Sequence, residues 1–288
     1  MTSDRTILIT GVTGHQGGAV AHALRGARFH LRGMTRKPDS ERATALARNG
    51  VDIVHGDLDD EASLRVALAG AWGVFGVQNT GEAGVEREEA QGKRLATLAR
   101  EAGVEHYVYT SVGSADERTG IPHFDNKWRI EETVRGLNFP SHVILRPVFF
   151  MENLLAPFSL QGSTLVWALG PDTKLQMIAV EDIGWFGARA FTEAAAWNGR
   201  EIDLAGDART MKEAAEILSE ALGRPIAFSQ TPIEQVRQYS KEMALMLEWF
   251  ERVGYSVDIA GLERESGRAL TKLPDWARRH GETRRGRS

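Results

Sequence analysis

The chain has no cysteine. That excludes disulfides, thiolate nucleophiles and cysteine-bound metals, and it suits a reducing compartment. No apolar run approaches the roughly 18 residues a membrane helix needs. The opening Met1-Thr-Ser-Asp-Arg5 lacks the apolar core of a signal peptide. The expected location is the cytoplasm, without membrane contact. An excess of one charge is also missing: 35 Lys and Arg stand against 39 Asp and Glu, a net −4. Nothing in that balance draws nucleic acid, and no basic recognition helix is visible. The eight histidines are scattered, without His-Glu-x-x-His or paired-carboxylate spacing, so no metal site is expected. There are four tyrosines, Tyr107, Tyr109, Tyr239 and Tyr255, and none is followed four residues later by lysine.

What is present reads as an α/β protein. With 288 residues, 42% apolar and 26% charged, the chain can bury a core large enough for one big domain with a smaller lobe. The first half alternates strand-like runs (Thr6–Thr10, Phe29–Thr35, Val51–His55, Gly73–Val77, His106–Thr110, His142–Leu145) with helical patterns (Gly17–Arg25, Ser40–Arg48, Glu61–Leu68, Gly84–Ala102). That rhythm predicts a Rossmann-like, doubly wound parallel sheet. After Pro147 it loosens into helix Glu181–Ala195, strand Glu201–Leu204, helix Met211–Leu222, strand Ile226–Ser229 and helix Ile233–Arg252. The expected organisation is a nucleotide-binding domain over 1–150, a smaller α/β C-terminal lobe over 151–280 interleaved with the sheet end, and a flexible basic tail over 281–288.

The chemistry concentrates where strands end. Directly after Ile7-Leu8-Ile9 comes Gly11-Val-Thr-Gly14-His-Gln-Gly17-Gly18. A dinucleotide pyrophosphate needs a sharp turn at Gly11, close backbone approach at Gly14 and tight helix–strand packing at Gly17. Amides at the helix start, with the helix dipole, then bind the anion, so Thr13, His15 and Gln16 join the candidate cofactor residues. The second strand ends Thr35-Arg36-Lys37-Pro38, where an NAD-selective site would carry a carboxylate. Arg36 offers a planar fork and Lys37 a point charge to a 2′-phosphate, which favours NADP(H); the alternative is a solvated basic turn. Asp57 and Leu58 after the third strand would flank the adenine, or Asp57 would cap the next helix. Gln78, Asn79 and Thr80 would line the ribose wall. Ser111 ends the fifth strand.

In place of Tyr-x-x-x-Lys stands His123-Phe-Asp-Asn-Lys127. Lys127 keeps the position of the reductase lysine, and His123 occupies that of the acid. His123 is either a proton donor near neutral pH or merely the start of a helix after Pro122. Lys127, His123 and Ser111 are the candidate catalytic residues.

With these motifs the chain resembles the NmrA-like family of atypical short-chain reductases, close to its redox-sensor branch. The likeness extends to Gly56-Asp57-Leu58-Asp59-Asp60, Gln91-Gly92-Lys93, Glu152-Asn153-Leu154-Leu155 and Leu273-Pro-Asp-Trp276. It implies NADP(H) along the strand ends, Arg36 at the 2′-phosphate, Lys127 at the nicotinamide ribose, and Phe150 to Leu154, with Phe150 and Asn153, beside the nicotinamide. Two departures stand out: Ala90 replaces a lysine that some sensor members carry, and Pro147–Glu152 is one residue longer than usual. The family holds both reductases and non-catalytic regulators. Two functions are therefore expected: NADPH-dependent reduction of a small apolar acceptor (quinone, dye, enone or imine), or a sensor in which NADP(H) orders Asn79–Glu86 and Gly113–Gly120 for a protein partner. Either a monomer or a homodimer is compatible.

Overall fold

The computed structural model of the chain describes residues 5–285. The elements run β1 (Thr6–Ile9), α1 (His15–Ala23), β2 (His30–Thr35), α2 (Glu41–Arg48), β3 (Val51–His55), α3 (Glu61–Leu68), β4 (Ala71–Gly76), α4 (Thr80–Ala83), α5 (Val85–Glu101), β5 (His106–Thr110), α6 (Pro122–Gly136) and β6 (Ser141–Pro147). There follow β7 (Phe149–Phe150), β8 (Leu160–Gln161), β9 (Thr164–Trp167), β10 (Lys174–Ile178), α7 (Val180–Thr192), α8 (Ala194–Trp197), β11 (Arg200–Leu204) and β12 (Asp207–Thr210). The chain closes with α9 (Met211–Leu222), β13 (Ala227–Gln230), α10 (Ile233–Tyr239), α11 (Lys241–Arg252), α12 (Ile259–Ser266) and α13 (Leu273–Arg285).

Two compact units result. Unit 1 takes the chain up to Arg146 and again over Ile183–Ile202; unit 2 holds Pro147–Asp182 and the chain from Asp203. The main sheet has seven strands in the order β11-β6-β5-β4-β1-β2-β3, and the pairs among β1 to β6 are parallel. Strand order reverses beside β1, the crevice where open α/β sheets bind ligands. Helices cover both faces, so the strands read as apolar runs rather than alternation: Ile7, Leu8 and Ile9 are all fully buried. One face packs Leu64, Leu95, Ala99, Ile130 and Val134 over Leu8, Val74 and Tyr107. On α7, a Cβ on Gly184 would stand 2.7 Å from the Ala19 carbonyl and one on Gly187 2.6 Å from Val20 Cγ2, so α7 meets α1 at backbone contact. Unit 2 carries two three-stranded sheets, β12-β10-β7 and β13-β9-β8.

The first-half alternation appears as expected, with helix starts fixed by local chemistry. Ser40 caps α2 by accepting from Ala43 N at 3.3 Å, and Asp60 caps α3 from Ala62 N at 3.0 Å. Four expectations need correction. Glu181–Ala195 is divided at Glu193, which leaves helical backbone between α7 and α8. Ile233–Arg252 is two helices, because Ser240 adopts extended backbone and turns its hydroxyl to Met243 N at 3.1 Å, capping α11 instead of continuing α10. Asn79–Glu86 is not an open loop: it contains α4 and the start of α5. The segment expected as a tail continues α13 through Arg285, with Gly281 buried where a Cβ would strike the Ala221 carbonyl. Residues 286–288 of that tail lie outside the described residues. No helix among the described residues is long and apolar enough to cross a membrane.

Candidate functional site

The glycine loop is built so that a side chain cannot be added at Gly11 or Gly17. Gly11 has φ +56°, and a Cβ there would lie 2.8 Å from Val77 Cγ1. Gly14 N donates to Gly11 O at 2.8 Å, closing the turn. A Cβ on Gly17 would stand 2.5 Å from Gly11 O and 2.6 Å from Thr10 O, both rigid backbone atoms. The end of β1 is tied to β4 through Thr10, whose hydroxyl accepts from Val77 N at 2.9 Å and donates toward the carbonyls of Val77 and Phe75. Gly14 caps α1 without a side-chain hydrogen bond, and no acidic residue stands in its first turn. The first amides of α1 and its dipole are thus presented beside a glycine turn, a donor set suited to a diphosphate. Thr13 and His15 lie on this loop. Gln16 is held by Thr110, whose hydroxyl donates to Gln16 Oε1 at 2.6 Å. Arg42, which sequence reasoning passed over, donates to the Thr13 carbonyl at 3.0 Å.

The neighbouring strand ends bring the other candidates to the same edge of the sheet. Arg36 and Lys37 follow β2, both exposed; the Arg36 guanidinium pairs with Glu82 of α4 at 2.5 Å. After β3, Asp57 folds a turn by accepting from Asp59 N at 3.0 Å, so it does not cap α3. Leu58 is half-buried against the core. Asp59 explains why two distant motifs occur together: Gln91 and Arg87 donate to it at 2.9 and 2.7 Å, while Arg94 donates to the Leu58 carbonyl at 2.7 Å. The Arg87 hydrogen bond, foremost, holds the Asp59 carboxyl below its usual range. Asn79 caps α4 by accepting from Gly81 N at 3.0 Å.

Two polar side chains at adjacent strand ends have no partner. Gln78 after β4 is 6% exposed and Ser111 after β5 is 4% exposed, and neither the Gln78 amide nor the Ser111 hydroxyl makes a hydrogen bond. Buried polar groups are rarely left in this state.

Lys127 lies on α6, and its partner was invisible in the sequence. Its Nζ sits 2.8 Å from Glu88 Oε1, on a carboxylate with no side-chain exposure. Glu88 also accepts from Asn126 Nδ2 at 3.0 Å and from the Thr80 hydroxyl. Burial pushes the Glu88 carboxyl up, but the Lys127 charge and these hydrogen bonds outweigh it and leave it below the usual range. A fixed ammonium can grip hydroxyls without wandering. His123 sits in the first turn of α6, half-buried and edge-on to Phe124 at 4.9 Å. Phe150 and Asn153 belong to unit 2: Phe150 pairs with Ile178 between β7 and β10, and Asn153 lies in the 3-10 turn Met151–Leu155. In the same unit, Glu152 accepts from the Val180 amide at 3.1 Å and from the Trp276 indole at 3.0 Å, which accounts for the pairing of those two motifs. Among the described residues, no group of three or more His, Asp or Glu gathers to hold a metal ion.

Comparison with known proteins identifies the family. The chain is 30% identical over 289 residues to (4-alkanoyl-5-oxo-2,5-dihydrofuran-3-yl)methyl phosphate reductase of Streptomyces griseus, covering 96% of this chain and 98% of that one. It is 30% identical to NAD(P)H azoreductase of Xenophilus azovorans, over 83% of this chain and 82% of the relative. The crystal structure of an NADPH-dependent quinone oxidoreductase from Escherichia coli, complexed with NADPH, superimposes with a TM-score of 0.78 at 25% identity, covering 94% of this chain and 98% of that one. Residues 3–280 match the model of the NmrA-like family, and the chain belongs to that family.

Proposed function

We propose that the protein is an NADPH-dependent reductase of small, flat, conjugated acceptors. The observation that carries this reading is the uncapped start of α1 behind a loop that admits no side chain at Gly11 or Gly17. The diphosphate would rest on that loop, Arg36 would take the 2′-phosphate, and Asp57 with Leu58 would border the adenine. Gln78, Asn79 and Thr80 would line the ribose, with Lys127 gripping the nicotinamide-side hydroxyls from its seat on Glu88. NADPH, when bound, supplies a hydride. Ser111 would donate its unused hydroxyl hydrogen to the acceptor oxygen or nitrogen, and His123 would deliver the balancing proton. An acceptor already activated by conjugation needs little acid help, so the missing tyrosine is no obstacle. The likenesses to proteins named as a dihydrofuranyl-methyl phosphate reductase, an NAD(P)H azoreductase and an NADPH-dependent quinone oxidoreductase support this acceptor class.

The test is NADPH oxidation with a panel of quinones, azo and triphenylmethane dyes and enones. Turnover of at least one class, lost in Lys127→Met, is expected. NADPH binding without turnover of any acceptor would instead favour the sensor reading, in which oxidised and reduced cofactor must shift partner binding unequally.

A further inference from the structure

The cofactor reading leaves one carboxylate unexplained. Arg36 is already engaged: its Nη2 lies 2.5 Å from Glu82 Oε2, and both side chains are more than half exposed. Glu82 sits on α4, the single turn between β4 and α5, which leaves through Gly84 at φ +76°. At the other end of the same turn, Thr80 donates to Glu88, the carboxylate that seats Lys127. One short helix therefore joins the two cations assigned to opposite ends of the dinucleotide.

We propose that Glu82 is a built-in competitor for the 2′-phosphate and so a specificity-determining residue. The inference rests on the NADP(H) reading above. A phosphate approaching the Arg36 fork would bring close to two negative charges against the Glu82 carboxylate, and two anions cannot share that guanidinium edge without a cost. Glu82 must leave Arg36 before the phosphate takes its place. A 2′-hydroxyl carries no charge and leaves the pair intact. The penalty therefore falls on NADP(H) alone and narrows its advantage over NAD(H). An exposed ion pair is worth about a two- to fivefold factor in an equilibrium, which sets the scale.

The experiment titrates NADPH and NADH, by calorimetry, into the wild type, Glu82→Gln, Glu82→Ala, Arg36→Ala and the Arg36→Ala/Glu82→Gln double variant. Both Glu82 variants should bind NADPH about threefold more tightly and NADH unchanged, and the gain should vanish without Arg36. No tightening, equal tightening of both cofactors, or a gain that persists in the Arg36→Ala background overturns the proposal. If the wild type binds neither cofactor, or Arg36→Ala weakens both equally, the cofactor assignment itself fails, and the inference falls with it.

Discussion

Replacing Lys127 by Met removes one half of a buried ion pair. Glu88 has no side-chain exposure and Lys127 only 11%, so little water is available to solvate the carboxylate left behind. Removing one partner of such a pair costs about 3–5 kcal/mol; the slight exposure of Lys127 and the surviving bonds from Thr80 and Asn126 put this case near 3. The pH dependence identifies the cause. In the wild type the Glu88 carboxyl is held below its usual range, so its contribution is present above the unfolded value and is lost as pH falls through the folded one. In Lys127→Met the counter-charge is gone, burial prevails, and the folded carboxyl lies above its ordinary value. The sign then reverses: the variant is penalised at neutral pH and relieved as the carboxyl takes up a proton. Urea unfolding followed by circular dichroism should show the gap between wild type and variant widest near pH 7 and narrowing towards pH 5. Lys127→Met/Glu88→Gln should be more stable than Lys127→Met alone. A gap under about 1 kcal/mol, or one that does not change with pH, would refute the reasoning.

Three further outcomes are expected. Gly17→Ala should cost about 2 kcal/mol and weaken NADPH at least about tenfold, because its Cβ meets two backbone carbonyls; Gly18→Ala, with 3.2 Å to Val12 O, should be milder, and equal melting temperatures for the pair would contradict this. Trp276→Phe deletes the indole donor to half-buried Glu152 and should lower stability by about 1 kcal/mol in a denaturant titration; a neutral result would mean that the hydrogen bond carries no weight. Burial pushes His106 down to about 4, so it stays neutral in the fold while the unfolded chain protonates near 6.5. Stability should fall between those pH values, by up to about 3 kcal/mol from this group, and His106→Asn should flatten the slope in pH-dependent unfolding.

Much of unit 1 was legible because its signals are local. The glycines announce themselves by spacing, since no other residue fits at Gly11 or Gly17, and buried parallel strands leave apolar runs such as Ile7-Leu8-Ile9. Glu88 was not legible. In a helix that reads Glu86-Arg87-Glu88-Glu89, a carboxylate looks like part of a solvated face, and its partner lies on another helix. The Asp59–Gln91 bond was hidden in the same way, although both motifs had been noticed. The break at Ser240 escaped because a serine inside a long amphipathic pattern is tolerated until its hydroxyl caps the next turn. In unit 2 the strand expected at Ile226–Ser229 is β13, whereas β7 and β8 escaped because they hold only two residues each, too few for a period to register.

The discontinuity of unit 1 has a consequence for biosynthesis. A ribosome releases Pro147–Asp182 before it releases α8 and β11, the edge strand beside β6. Until then α1 of the nascent amino-terminal portion waits for the glycine face of α7, and the Arg146 cluster, already bonded to Glu131 and Asp116, lacks only Glu201. The nucleotide-binding half is therefore expected to complete its sheet and its α1 packing only late in translation. A fragment ending at Arg146 should emerge as a chaperone client rather than a foldable piece.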